Sequence, residues 1–283
     1  MPSMKAVKRR IASVDSTRQI MKAMNLVSAS KLQRAKAQLT LVRPMLDNIK
    51  QVMDGVASGD ALTDNPFFEK RELKNAAYLV VTGDRGLCGG YNLNIAKEAL
   101  ALIERADVPE KIVAVGSKGC DYFNRRGKNI VERYPGFSEA GAYENAEAIG
   151  KLLLGMYTSG EVDEVYVVYT RFESILSHEP KTVKVLPLGE PEVAGEASAM
   201  MLYDPDVNTF LDYAIPLYIN TIVYGAMVES NVCEHASRMT SMDSASRNAE
   251  EIIDHLTLVY NRQRQGAITQ EITEIVSGAN AIQ

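Results

Sequence analysis

The chain has 283 residues, a net charge of −5 and a hydrophobic content of 46%, which is ordinary for one large globular domain or one domain with an extension. No run of about 18 apolar residues occurs and no apolar segment follows the N-terminus, so neither a membrane span nor a secretory signal is expected. Cys88, Cys120 and Cys233 lie far apart without CxxC spacing, which favours a reducing compartment over a disulfide framework or a structural zinc site.

Charge is distributed unevenly along the chain. Residues 1–50 hold eleven basic and two acidic side chains, a net charge of +9, whereas residues 206–283 hold four basic and ten acidic side chains, a net charge of −6. Because the two ends carry opposite charge, they are predicted to be complementary, either to each other or each to a different partner.

The first predicted element is a long helix over residues 3–58. Its apolar residues keep a helical spacing, and Lys, Arg, Gln and Ala fill the remaining positions. The apolar positions are Ile11, Val14, Ile20, Met24, Val27, Leu32, Ala35, Leu39 and Val42. Pro44 is expected to end or kink the helix near Arg43, because proline lacks the backbone donor and clashes with the preceding turn.

In the middle of the chain the spacing of the apolar residues is different. Residues 59–75 are a polar connector and residues 187–199 a second linker rich in Pro, Gly and Glu. Between them, short apolar runs predict strands and amphipathic segments predict helices. The strands are expected at 77–81, 112–115, 130–134, 165–169 and 182–186, and the helices at 93–105, 117–126 and 143–158. This alternation is typical of an α/β domain with a mostly parallel sheet.

The last predicted element begins at Asp204-Pro205, an N-cap followed by proline at the first helical position. Apolar or small residues then recur with a period close to the ~3.5 of a coiled-coil seam. They are Val228, Val232, Met239, Met242, Ala245, Ala249, Ile252, Leu256 and Val259. Some seventy helical residues span roughly 100 Å, so this helix needs another long element to cover it. Pro216 is expected to bend or locally unwind it.

The two long helices are predicted to pair with each other. The α/β segment is inserted between them, so the pairing is antiparallel. The expected fold is therefore α/β: a long antiparallel coiled coil of the N- and C-terminal helices with an inserted Rossmann-like α/β domain. The predicted boundaries are 1–58 for the first helix, 76–187 for the α/β domain and 204–283 for the last helix.

A glycine-rich loop at residues 83–90 follows the first strand. Its glycines do not fit GxGxxG or a Walker loop, and the second strand ends without the acidic residue that a ribose would need. A tight strand-to-helix turn with a docking surface is the favoured interpretation, and a nucleotide-dependent enzyme is a minor alternative. His178, His235 and His255 are too few and too scattered for a triad or a metal cage.

The basic first helix allows two interpretations. It could bind nucleic acid, although residues 1–50 contain no aromatic residue on which bases could stack. It could equally dock on an acidic protein partner, as part of a scaffold. The segment 270–276 is similarly open, because Ile272, Ile275 and Val276 share a face that either pairs with the other helix or enters an apolar sleeve of another protein.

Taken together, these segments resemble one family, the gamma subunit of F-type ATP synthases, over essentially the whole chain. The shared motifs lie at both ends and in the middle, and only their combination is specific. They are Ile11-Ala12-Ser13-Val14, Lys22-Ala23-Met24, Ala29-Ser30-Lys31, Asp84-Arg85-Gly86-Leu87-Cys88-Gly89-Gly90, Gly116-Ser117-Lys118-Gly119, Arg238-Met239, Leu258-Val259-Tyr260-Asn261-Arg262 and Ile268-Thr269-Gln270-Glu271-Ile272-Thr273-Glu274-Ile275-Val276.

The resemblance implies a central rotor shaft that is not itself an enzyme and uses no cofactor or metal. The implied partners are the ring of alpha and beta subunits, the epsilon subunit and the membrane-embedded c-ring, with one copy per complex and no nucleic acid. The implied location is the cytoplasmic face of a bacterial membrane. Torque would arise as differential contact with the conformations of the catalytic subunits.

The same resemblance assigns partner contacts to individual residues. Arg264, Gln265 and Thr269 match polar residues that touch the beta-subunit catch loop. The segment Lys8-Arg9-Arg10 and Met24 match positions where the acidic lever of the beta subunit meets the shaft. Tyr203 and Asp204 match residues at the foot that contact the c-ring.

Overall fold

The computed structural model describes residues 3–57, 65–136, 143–189 and 206–282. Their contacts form two compact units, each described separately below. The coiled-coil unit comprises Met1–Ser28 and Met239–Gln283, and the α/β unit comprises Ala29–Arg238. Helix α1 (Met4–Ala57) and helix α5 (Val207–Ile282) each contribute to both units. Two long terminal helices around an inserted α/β segment confirm the predicted fold class.

Helix α5 begins at Val207, slightly later than predicted. Its N-cap is Asp206, whose carboxylate accepts hydrogen bonds from the Thr209 backbone N–H at 3.0 Å and from the Thr209 hydroxyl at 2.8 Å. These bonds to Thr209 lower the pKa of Asp206. The predicted cap Asp204 and its neighbour Pro205 lie outside the described residues.

Neither long helix ends at its internal proline. Helix α1 continues through Pro44 to Ala57, and α5 continues through Pro216 to Ile282. The expectation that Pro44 would end its helix or that Pro216 would unwind α5 is therefore wrong. Both helices are held by tertiary packing on either side, which offsets the loss of one backbone hydrogen bond.

The sheet of the α/β unit has five strands in the order β3-β2-β1-β4-β5. Strands β1 to β4 are parallel, and β5 runs antiparallel to β4 at the edge, which confirms the mostly parallel sheet. The strands are β1 (Ala76–Val81), β2 (Glu110–Val115), β3 (Ile130–Tyr134), β4 (Glu164–Phe172) and β5 (His178–Leu186). The connecting helices are α2 (Tyr91–Ala106), α3 (Ser117–Asn124) and α4 (Tyr143–Thr158).

Helices cover both faces of this sheet. Every residue of β1 is buried, as a continuous apolar run predicts. Tyr78 and Val80 belong to the core shared with α2 and α3, whereas Leu79 and Val81 belong to the core shared with α4 and α5. The first half of α5 is thus a core element of the α/β unit.

Small residues allow α5 to lie very close to its neighbours. A Cβ on Gly225 would lie 2.8 Å from Cδ2 and 3.0 Å from Cγ of Leu46 on α1. A Cβ on Gly150 of α4 would likewise overlap Asn220 on α5. Glycine at these two positions is favoured by the close spacing between helices and not by the backbone conformation.

In the coiled-coil unit, α1 and α5 pair in antiparallel fashion. The Arg18 guanidinium lies 3.3 Å from the Glu250 carboxylate, and the Asn25 side-chain amide donates to the Met239 carbonyl at 2.8 Å. One set of buried and half-buried positions of α5 recurs in steps of four and three, and Ala245 and Val259 beside it are half-buried as well. The set is Met242, Ser246, Ala249, Ile253, Leu256, Tyr260, Gln263 and Ala267.

This seam differs from the predicted one. Ile252, which the apolar pattern placed in the seam, is 47% exposed, and its neighbour Ile253 takes the inward position. On α1, Ile20 and Val27 are likewise exposed at 58% and 57%. The apolar pattern is wrong at these three positions, whereas the other predicted apolar positions of α5 are buried or half-buried. No helix in the described part of the chain combines the length and apolar character needed to cross a bilayer.

Candidate partner-binding surfaces

The C-terminal end of α5 extends beyond its partner helix within the coiled-coil unit. Arg18 lies beside Glu250, so Met4, the first residue of α1, falls opposite about residue 264 of an antiparallel partner. Helix α5 nevertheless continues to Ile282. All residues from 268 to 280 are exposed, so of the two interpretations of this segment the one in which helix pairing continues to the end is wrong.

The apolar face of this terminal segment turns away from the seam. Continuing the seam in steps of three and four leads to Gln270 and Glu274, which hydrogen-bond to each other at 2.9 Å. The apolar residues lie together on the opposite face and are 48% to 71% exposed: Ile268, Ile272, Ile275 and Val276. Apolar side chains on a helix end that lacks a paired helix indicate a protein partner around that end.

The predicted polar contacts Arg264, Gln265 and Thr269 lie where this extension begins. All three are exposed. The Thr269 hydroxyl donates to the Gln265 carbonyl at 2.9 Å, a local bond within the helix. Their side chains are therefore accessible from outside the helix pair.

The predicted basic residues Lys8, Arg9 and Arg10 lie near the start of α1 and are exposed. They lie between Val7, which is buried in the seam, and Ile11, which is half-buried there. Helix pairing thus leaves three consecutive cations on the outside, where they can face an acidic partner.

The remaining predicted contacts are placed differently. Met24 is half-buried, next to the seam residue Asn25. Tyr203 and Asp204 lie outside the described residues. Sequence reasoning missed an exposed apolar group on α1, since it assigned Ile20 and Val27 to the seam and did not single out Leu26, which is 71% exposed. Heptad positions assigned from the polar seam residues Arg18 and Asn25 would have revealed it.

The glycine-rich loop after β1 docks on α5 inside the α/β unit. A Cβ on Gly83 would lie 2.7 Å from Cδ of Glu234, so a larger residue there would displace the Glu234 carboxylate. The Arg238 guanidinium donates to the carbonyl of Gly86 at 3.3 Å and to Glu234 at 2.5 Å. The Glu234–Arg238 pair occupies the space beside the loop and bonds to its backbone, so this geometry suits a docking turn and not a nucleotide cradle.

Burial and charge shift the pKa values of the groups around this turn. Burial, followed by the nearby Arg238 and Lys31, lowers the pKa of His235 to about 4. Burial raises the pKa of Glu234, although Arg238 opposes that shift. Both groups serve the packing of the loop on the helix. His255 is exposed and His178 lies on β5, so the histidines form no cluster.

The part of the chain that the structure describes contains no group of three His, Cys, Asp or Glu residues that could hold a metal ion. Its three cysteines, Cys88, Cys120 and Cys233, are buried free thiols. The exposed chemistry instead lies on the outer faces and ends of two paired helices. This fold defines a class of protein: a coiled-coil subunit that acts through contacts with partner proteins.

Comparison with known proteins identifies the family. A family model described as ATP synthase matches residues 3–282. The chain is 41% identical to the ATP synthase gamma chain of Pelotomaculum thermopropionicum and 43% identical to that of Desulforamulus reducens, and each alignment covers 100% of both chains. The chain therefore belongs to the ATP synthase gamma chain family.

Solved structures agree on the fold. A chain from the rotational state 3 structure of the Euglena gracilis mitochondrial ATP synthase matches with a TM-score of 0.72 at 16% identity, covering 99% of this chain and 94% of that one. A chain from the central stalk and c-ring structure of the Tetrahymena thermophila enzyme matches with a TM-score of 0.66 at 24% identity, covering 80% and 99%.

Proposed function

We propose that this chain is the central-stalk rotor subunit of a membrane-bound F-type ATP synthase, which couples ion flow through a c-ring to ATP synthesis or hydrolysis at the beta subunits. The full-length identity of 41% to 43% with ATP synthase gamma chains carries this proposal. The subunit is non-catalytic. Its work is mechanical, because differential contact with partner conformations is what a coupling protein can supply.

The exposed end of α5 is consistent with the proposal that a ring of partner subunits surrounds it. Ile268, Ile272 and Ile275 lie on a helix end that α1 does not cover, and together they form one exposed apolar face of the helix. An apolar sleeve made by the alpha and beta subunits would bury them. Arg264, Gln265 and Thr269, just before this end, would contact the catch loop of a beta subunit.

The charged start of α1 supports a second contact. Lys8, Arg9 and Arg10 would face the acidic lever of a beta subunit, with Met24 further along the same helix. Electrostatic contacts of this kind form and break easily, since exposed ion pairs contribute only about 0–1 kcal/mol each. A rotor needs such contacts because it must bind its partners and still turn relative to them.

The other implied partners are the epsilon subunit and the c-ring, with Tyr203 and Asp204 facing the c-ring. The predicted limits of the coiled-coil helices at 1–58 and 204–283 and of the α/β domain at 76–187 form part of this proposal. The complex is membrane-associated, as expected for bacterial members of the family. We place the chain on the cytoplasmic face of a bacterial cell membrane.

Reconstitution tests the proposal. The purified chain, mixed with alpha, beta and epsilon subunits and a c-ring in vesicles, is expected to restore ion-driven ATP synthesis at one copy per ring. Replacing Lys8, Arg9 and Arg10 by Gln should weaken ring binding and its salt dependence, whereas K97Q on the exposed face of α2 should not. Three copies per ring, or synthesis without this chain, would contradict it.

The nucleic-acid alternative has no support from the comparisons. Membership of the gamma chain family and the exposed apolar end of α5 both favour protein partners. The basic residues of α1 then serve an acidic protein surface.

A further inference from the structure

Six basic side chains lie at one level of the coiled-coil unit. Four are on α1 and two on α5: Lys5, Lys8, Arg9, Arg10, Arg262 and Arg264. Because Arg18 lies beside Glu250, the antiparallel register places residues 262 and 264 opposite about residues 6 and 4 of α1. The six residues therefore fall within a band about 10 Å high, which we call the basic collar.

No acidic residue lies within the basic collar. The nearest ones on α5 are Asp254 and Glu271, about 12 Å before and about 10 Å after the collar along the helix. The nearest one on α1 is Asp15, which is already paired with Arg18 at 2.7 Å. The six cations are exposed, and in the described part of the chain none of their side chains forms an ion pair or a hydrogen bond. The collar thus carries six uncompensated positive charges.

Such a cluster does not stabilise the helices that carry it. Lys5 precedes Lys8 by three residues and Arg9 by four, so these like charges are neighbours on the helix surface and repel each other. Lys5 also lies in the first turn of α1, where the helix dipole favours acidic side chains and disfavours cations, and no acidic residue occurs in that turn. An arrangement that opposes helix stability in the free chain indicates a partner that supplies the missing negative charge.

The basic collar surrounds the helix pair and does not mark one side of it. On α1 the consecutive residues 8–10 are all exposed, and they are spaced by about 100° around the helix. On α5 Arg262 and Arg264 precede and follow the half-buried seam residue Gln263, so they lie on opposite flanks of that helix. A partner that encloses the pair therefore meets positive charge on both helices and on both flanks.

The surface next to the basic collar indicates the kind of partner. The exposed apolar face that contains Ile268 and Ile272 begins four residues after Arg264 on the same helix. Because four residues span about 6 Å, a ring of subunits that encloses this apolar end also encloses the collar. The occupant of the collar is therefore the inner surface of that ring.

We propose that the basic collar is an electrostatic bearing, which fits inside a ring of carboxylate groups contributed in equal copies by the surrounding alpha and beta subunits. The attraction of opposite charges holds the shaft at one axial level. Since cations face the ring from both helices, this attraction changes little as the shaft turns, and no single angle is locked. This inference rests on the proposed function and deepens it, because it gives Lys5 and Arg262 the same role as the basic contacts proposed above.

Binding of full-length variants to the alpha–beta ring at about 50 mM and about 500 mM salt tests the basic collar. R9Q and R262Q, on different helices, should each weaken binding about threefold at the lower salt, because each removes one exposed ion pair of similar strength. R262Q/A6R moves one charge from α5 to the exposed position 6 of α1 and should recover the affinity of the unsubstituted chain. K97Q on α2 should have no effect, and at the higher salt all five proteins should bind alike.

Unfolding of the free chain separates a partner contact from a structural role. Because the collar cations repel one another, R9Q and R262Q should unfold at the same urea concentration as the unsubstituted chain or at a higher one. Lower urea midpoints, a loss of affinity confined to one of the two helices, an equal loss in K97Q, or no recovery in R262Q/A6R would overturn the collar and leave the rotor function in place. Failure of the unsubstituted chain to bind the ring would overturn both.

Discussion

The two halves of α5 show how one helix can serve two purposes. Between Ile219 and Arg238 nearly every side chain is buried, whereas beyond Ala267 every described side chain up to residue 280 is exposed. The first half is held by the sheet and by α1 in the α/β unit, and the second half by a narrow seam that ends before the helix does. Burial on all sides anchors the helix, and exposure leaves it available to partners.

The largest expected difference in stability is between two ion pairs that have the same i,i+4 spacing on α5. Glu234–Arg238 has side chains 4% and 8% exposed, whereas those of Asp243–Arg247 are 49% and 75% exposed. R238A leaves a buried carboxylate without its cation and should lower the free energy of unfolding by about 3–5 kcal/mol. R247A should cost under about 1 kcal/mol. Similar losses in urea denaturation would contradict the contrast.

Two glycines of α5 provide the next test. G225A should lower the free energy of unfolding by about 1–2 kcal/mol, because the new methyl group overlaps Leu46 and this strain exceeds the gain in helix propensity. The control G266A meets nothing within 4 Å and should be stabilising by about 0.5–1 kcal/mol. A G225A variant at least as stable as the wild type would show that the helices are not in close contact there.

Two adjacent isoleucines test the seam itself. I253A removes a half-buried seam side chain and should cost about 1–2 kcal/mol in thermal or urea unfolding. I252A removes a side chain that is 47% exposed and should cost under about 0.5 kcal/mol. A larger loss of stability in I252A than in I253A would instead support the seam that the apolar pattern predicted.

The last test concerns the pH dependence of the free energy of unfolding. Because the pKa of His235 falls from 6.5 to about 4 on folding, its contribution is complete above pH 6.5 and is lost as pH falls toward 4. The raised pKa of Glu234 acts in the opposite direction, so the two must be separated. H235Q should reduce the loss of stability between pH 6.5 and 4, measured by urea unfolding, relative to H255Q. Identical pH profiles for the two variants would argue against a buried neutral His235.

The sequence predicted the elements well and the seam less well. Strand β1 was recognisable because its apolar run is continuous, and the long helices because good helix formers fill them. The inward positions of Arg18 and Asn25 were not recognisable, since polar residues enter a seam through tertiary hydrogen bonds that a hydrophobic period does not record. The exposed α1 residue Ile20 was therefore assigned to the seam.

The candidate surfaces were predictable to a different extent. The cluster at Lys8, Arg9 and Arg10 is visible in the charge pattern alone. That Ile272 and Ile275 lie beyond the end of α1 was not decidable from the sequence, because it depends on the antiparallel register of the two helices.

Direct observation of rotation tests whether this chain is the rotor of the complex. The described native cysteines are buried, so the exposed position of Lys97 can be changed to cysteine and labelled selectively with a fluorescent probe. With the alpha–beta ring fixed to a surface and ATP supplied, we expect the probe to turn stepwise in one direction relative to the ring. A probe that stays fixed to the ring while ATP is hydrolysed would contradict it.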